Sequence, residues 1–208
     1  MKISHTVRVL ITSDFLINSG FSVFAPVFAV FITQQINNGS LEVVGFATAI
    51  AQIFKVVFQI PVAHYLDKNH GEYDDFYSLV AGSTLAAMVP FLYFFARTAN
   101  HIYIIQAIYG ISLALAVPPW FAIFTRHIDK MQENIEWSFE SVAIGVSAAV
   151  AASLGGFLAQ RYGFENLFLL GGCLAMLGAV FQWKIFHDLK MRVARGQVKP
   201  LPDRTTSA

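Results

Sequence analysis

The sequence predicts an all-α membrane protein of six spanning helices, and three observations predict it. Hydrophobic residues make up 56% of the chain and charged residues only 13%, where soluble domains carry about 25% charged residues. Six apolar stretches are each long enough for the roughly 20 residues that cross a hydrocarbon core about 30 Å thick. A polar break at 63–71, Ala-His-Tyr-Leu-Asp-Lys-Asn-His-Gly, is echoed at 156–163 by Gly-Phe-Leu-Ala-Gln-Arg-Tyr-Gly. That echo suggests a repeated unit within one transmembrane domain.

The expected spans are residues 9–33, 41–66, 76–96, 101–125, 138–160 and 165–186. They form a single domain over 1–188, followed at 189–208 by a tail too polar for lipid, expected to be flexible and cytoplasmic. The first span is too long for the apolar region of a secretory leader and lacks a small-residue cleavage site, so it is expected to stay in the protein. Of the 14 Lys and Arg residues, Arg97 and Arg161 fall on one side, Lys55 within a span and the rest on the side of the termini. Positive charge concentrates on the cytoplasmic side of membrane proteins, which puts both termini inside, most simply at the plasma (inner) membrane. Tyr65, Tyr77, Tyr103, Trp137, Tyr162 and Trp183 sit at expected span ends, where interfacial aromatic belts form.

Two spans carry a polar face. In the first, Asp14, Asn18 and Ser22 recur every fourth residue and lead to Pro26, where the helix is expected to bend. In the second, Thr48, Gln52, Lys55 and Gln59 share one side. Lys55 lies near the bilayer centre, where a charge costs about 2.5–3.5 kcal/mol on insertion scales. It is expected to face protein or a water-filled cavity, neutralised by a partner or by loss of its proton. Asp14 is the natural partner by depth, with a gap of about 7–8 Å along the membrane normal at 1.5 Å per residue. Such a pair is either a structural tie between two helices or part of a binding or proton-carrying site, and exchanging the two charges distinguishes these.

The remaining spans read as packing surfaces. Gly145, Ala149, Ala152 and Gly156 form a small-residue stripe on the fifth; Gly82, Ala86 and Pro90 on the third, and Gly171, Ala175, Gly178 and Gln182 on the sixth, read alike. The fourth carries Gln106, Gly110 and Ala114 on one face and Pro118-Pro119 near its cytoplasmic end, a hinge or a fixed bend. Glu140, a few residues inside the fifth span, is a candidate to meet Arg126 or the loop between the second and third. The lone Cys173 is expected to be a buried, inert thiol.

Enzyme motifs are missing: there is no His-Glu-x-x-His, no Gly-x-Ser-x-Gly elbow and no phosphate-cradling glycine loop. The six histidines, His5, His64, His70, His101, His127 and His187, fall mostly at expected helix ends or loops, so no metal centre or cofactor is expected. Lys190, Arg192 and Arg195 in the tail suit anionic lipid headgroups rather than nucleic acid.

With its two echoing turns and polar-faced first helix, the chain over 8–188 resembles the amino-terminal six-helix half of the major facilitator superfamily. The family signature after its second helix is Gly-x-Leu-Ala-Asp-Arg-x-Gly. Here Ala63, Asp67 and Lys68 stand at its Gly, Asp and Arg places, and Gly71 arrives one residue late. The echo, with Gly156, Gln160, Arg161 and Gly163, is similar to the second member of the family's 3+3 inverted repeat. The resemblance implies that Asp67, Lys68 and Gly71 form a conformational latch. Gln106 replaces the arginine that the family places four residues before the glycine of its fourth helix, and Ala151-Ala152 stands where drug antiporters carry Gly-Pro. Both departures disfavour proton-driven drug efflux.

Full-length members have twelve helices in two halves with solute bound between them, and this chain supplies one. The expected function is half-size secondary transport of a small solute by alternating access, with Asp14, Asn18, Lys55, Gln59 and Gln106 lining the cavity. A homodimer or a separate six-helix partner would complete it, since parallel copies around an axis along the membrane normal need no inversion. The alternative is a membrane scaffold or partner subunit that keeps the fold without transporting.

Overall fold

The computed structural model describes residues 3–69 and 72–188. Among them the order is α1 (His5–Ser22), a 3-10 turn (Ala25–Val27), α2 (Phe28–Gln35), α3 (Leu41–Asn69), α4 (Glu72–Tyr93), α5 (Ala99–His127) and α6 (Glu133–Phe181). Five stretches are long and apolar enough to cross a membrane: His5–Gln35, Leu41–Lys68, Glu72–Tyr93, Ala99–His127 and Glu133–Asp188.

Local sequence sets the helix ends and breaks. The Ser4 hydroxyl accepts from Val7 N at 3.3 Å, and the Ser40 hydroxyl accepts from Val43 N at 3.3 Å, so serines cap α1 and open α3. Pro26 brings no N–H and sits in the 3-10 turn that separates α1 from α2, which is the bend expected there. Pro118 and Pro119 leave α5 continuous. The 63–71 segment corrects the sequence reading: Asp67 and Lys68 are exposed on the last turns of α3, which stays helical to Asn69, while Gly71 lies outside the described residues. In the echo, residues 156–162 are helical too, and only Gly163 departs, with φ 82° and ψ 168°. Ala, Leu, Lys, Gln and Arg are good helix formers, so a polar stretch rich in them extends a helix past the apolar span.

Gly163 divides α6 into two arms, and α1 shows their directions. On the first arm, Glu140 lies at the level of Asp14 and Gly155 at the level of Val23. On the second, Gly171 meets Gly20, and Gly178 meets Ser13 and Ile17. The arms therefore run in opposite directions along α1. The seam needs small residues: a Cβ on Gly171 would stand 2.5 Å from the Gly20 carbonyl oxygen, and one on Gly178 2.7 Å from that of Ser13. α5 holds α3 and α4 alike, with Gly110 against the Ala51 backbone and Gly82 against Ser112 and Ala116.

The start and end of the described chain meet. His5 Nδ1 lies 2.6 Å from Asp188 Oδ2, which also accepts from the Thr6 hydroxyl at 3.2 Å. At the opposite end, Asn37 bridges to Thr98, and its N–H donates to the Arg97 carbonyl at 2.9 Å. A hydrophobic cluster fills each end. Phe24, Phe31, Tyr93 and Phe168 pack in one, and Phe76, Trp120, Ile123 and Phe124 in the other.

Two expectations about packing change. The stripe Gly145, Ala149, Ala152 and Gly156 does not bind the bundle: both glycines face open space, and the buried face of that arm is Ser147, Ala151 and Gly155. Cys173 is exposed rather than buried, because Gly172 and Gly171 beside it take the inward places.

Candidate functional site: an acid-lined cavity

A cavity of about 300 Å³ opens between α1, α4, α5 and the first arm of α6. α1 supplies Asp14, Ile17, Asn18 and Phe21, one face of the helix at spacings of three and four. α4 contributes Ser83, α5 Tyr109 and Trp120, and α6 Trp137 and Glu140. Two of these side chains are held from behind. The Asn18 amide donates to the Asp14 carbonyl oxygen one turn back at 3.0 Å, and Trp120 stacks on Phe124 with ring centroids 4.8 Å apart.

The polar groups facing this space meet one another and no cation of the described chain. Glu140 is only 3% exposed, and the polar group beside its carboxyl is the Asp14 carboxyl. Trp120, at 8% exposed, brings its indole toward the same Asp14 side chain. Carboxyl groups on two helices and an indole N–H thus converge on a cavity whose walls are otherwise apolar. Buried acids are ordinarily matched by a cation, so two acids side by side at a void with none mark a place where a ligand can supply the counter-charge.

The other sequence-derived candidates are dispersed. Lys55 has no ion pair among the described residues and lies outside the cavity lining. α3 packs chiefly along α5 through Ala47 and Ala51, which leaves Thr48 and Gln52 exposed and Lys55 and Gln59 half-buried on its polar face. Gln106 sits in the core away from the cavity, its amide donating to the Tyr93 hydroxyl at 3.1 Å. Arg126 pairs with the 3% exposed Asp75 at the start of α4, so it does not serve Glu140. Asp67 and Lys68 are exposed at the same end, Gly156 and Arg161 are exposed near Gly163, and none of these lines the cavity.

Glu140, Trp120, Trp137 and Tyr109 complete what the sequence located only at Asp14 and Asn18. The available signal was depth: Asp14 lies nine residues after His5 opens α1, and Glu140 seven after Glu133 opens α6. Two acids at matched depth on helices starting from one side deserve to be paired. Among the described residues no three His, Cys, Asp or Glu side chains group to hold a metal ion.

Comparison with known proteins decides the family, because the Major Facilitator Superfamily profile matches residues 10–206. The chain belongs to the Major Facilitator Superfamily. It is also similar to an uncharacterised MFS-type transporter of Methanocaldococcus jannaschii, 23% identical over 188 residues, covering 90% of this chain and 47% of that protein. The chain therefore spans about half the length of the curated relative it matches. As a superfamily member it is a transporter-like integral membrane protein, and its cavity lies where helices from different parts of the chain converge.

Proposed function

We propose that this chain is a half-size secondary transporter that moves a small solute by alternating access, as a homodimer or with a second six-helix half. The observation that carries the reading is the cavity itself, an open space in an apolar bundle lined by Asp14, Asn18 and the buried Glu140. Six crossings in a 3+3 arrangement find support in the break at Gly163 and in the opposed arms of α6. The contact of His5 with Asp188 supports an even number of crossings. The excess of Lys and Arg on that side favours cytoplasmic termini.

A second half is favoured by what this chain leaves uncovered. A polar face with Lys55 in a membrane helix requires protein or water beside it, and on α3 Thr48 and Gln52 are exposed while Lys55 and Gln59 are only half covered by their own bundle. The open glycines of the first arm of α6 present a second unfilled surface.

Uptake of a panel of labelled small solutes into proteoliposomes tests the reading. The expected result is flux of one solute class that is lost in folded Asp14→Asn and Glu140→Gln variants. No flux for any solute, from a chain held in a fixed complex with a different membrane protein, would instead establish the scaffold role.

A further inference from the structure

The polar and aromatic lining of the cavity discriminates among solutes by charge. Glu140 and Asp14 face it with carboxyl groups, and no Lys, Arg or His is among its lining residues. Glu140 is buried beside a second acid and has no ion pair among the described residues, so a positive group in the cavity would supply the counter-charge that the fold withholds. Beside the acids stand three aromatic faces. Trp120, Phe121 and Trp137 form a mutual cluster, with centroids 5.2 Å apart for Trp120–Phe121, 5.9 Å for Phe121–Trp137 and 6.1 Å for Trp120–Trp137. Tyr109 and Phe21 stack at 5.1 Å on the other side.

Each feature favours the same ligand chemistry. A ring face attracts a cation within about 6 Å of its centroid, and more strongly where water is excluded. A carboxylate in a low-dielectric site attracts a cation more strongly than one in bulk water, and it repels an anion equally. Apolar walls with a few convergent polar groups suit an organic body, and 300 Å³ fits a small one. A bare metal ion would demand a close set of oxygen ligands, whereas the lining is mostly carbon.

We propose that the cavity between α1, α5 and α6 binds a small organic cation, with Glu140 and Asp14 neutralising its charge and Trp120, Phe121 and Trp137 enclosing its body. This rests on the transport reading for its biological purpose, but binding is measurable without flux. Two of the chain's three tryptophans line the site, so their fluorescence reports occupancy.

The test is titration of the whole chain in lipid nanodiscs with benzyltrimethylammonium, phenylbutanoate and phenylbutanol, followed by tryptophan quenching and calorimetry. The cation is expected to bind saturably, and the anion and the alcohol are not. Glu140→Gln and Asp14→Asn should each weaken the cation at least about tenfold, as expected for loss of a charge-assisted contact, while Glu42→Gln, exposed on α3, changes nothing. Equal binding of the alcohol, or unchanged cation affinity in both acid variants, would overturn the proposal. So would failure of the cation to bind a folded chain. Flux of an anionic solute without cation binding would overturn the substrate class and leave the transport reading intact. Cation binding without any flux would support the substrate class and count against transport.

Discussion

The two ends of the bundle treat buried polar groups in opposite ways. Near the 163 break, Gln106 is sealed in an aromatic cluster and its amide donates to the Tyr93 hydroxyl. Tyr93 is itself wedged between Phe28 and Phe168, each with its ring centroid 5.1 Å away. At the end where His5 meets Asp188, Glu140 and Trp120 are as well buried, yet they face a cavity, with the Asp14 carboxyl as their polar neighbour and no cation beside them. A satisfied group holds helices together, whereas an acid buried without a counter-charge costs stability. The difference teaches which polar residues to read as structure and which as site, a distinction that residue type alone does not make.

The largest effect expected from breaking a satisfied contact belongs to Arg126. Arg126→Ala leaves Asp75 buried and unpaired, and should destabilise the folded chain by about 2 kcal/mol, below the full cost of a buried pair because the arginine is itself partly exposed. A lower melting temperature in detergent, with partial recovery in the Asp75→Asn, Arg126→Ala double variant, is the result that checks it. Gln106→Leu comes next, at about 1–2 kcal/mol, because the Tyr93 hydroxyl loses its partner in a dry core. Adding Tyr93→Phe should restore part of that loss.

At the cavity the sign changes. Glu140→Gln removes an acid buried beside another acid with no counter-charge, so the melting temperature should hold or rise, by up to about 1 kcal/mol equivalent, while solute binding falls. A loss as large as that of Arg126→Ala would show that Glu140 is a structural tie and erase the contrast. The smallest effect on the isolated chain is expected from Gly145→Val. No atom of the chain lies near that position, so its stability should shift by less than about 0.5 kcal/mol. Association with a second half, read by native mass, should weaken if that face is covered in the membrane.

Much of the architecture was legible because it depends on composition and one-dimensional spacing. Apolar length marked the spans, Pro26 marked the bend, and the stripes through Gly82, Gly110 and Gly171 marked helix contacts. The Gly145 stripe looked the same in sequence but faces outward, because periodicity finds a face without saying what covers it. The site was half legible for a related reason. Asp14 and Lys55 seemed matched by depth, but depth is one coordinate. α3 docks along α5 rather than along α1, which leaves Lys55 off the cavity lining, while the neighbour of Asp14 comes from α6, more than a hundred residues away. Polar ends differed in another way, since good helix formers continued α3 to Asn69, three residues past the expected end of its span, while Gly71 lies outside the described residues.

We propose that this chain carries half of a solute pathway and meets a second half in the membrane. The most direct measurement is the native mass of the protein extracted gently into nanodiscs of its own lipids. The account predicts two copies of the 23.0 kDa chain, or one copy with a second membrane subunit of similar size. A single 23.0 kDa chain surrounded only by lipid, at every concentration tested, would contradict it.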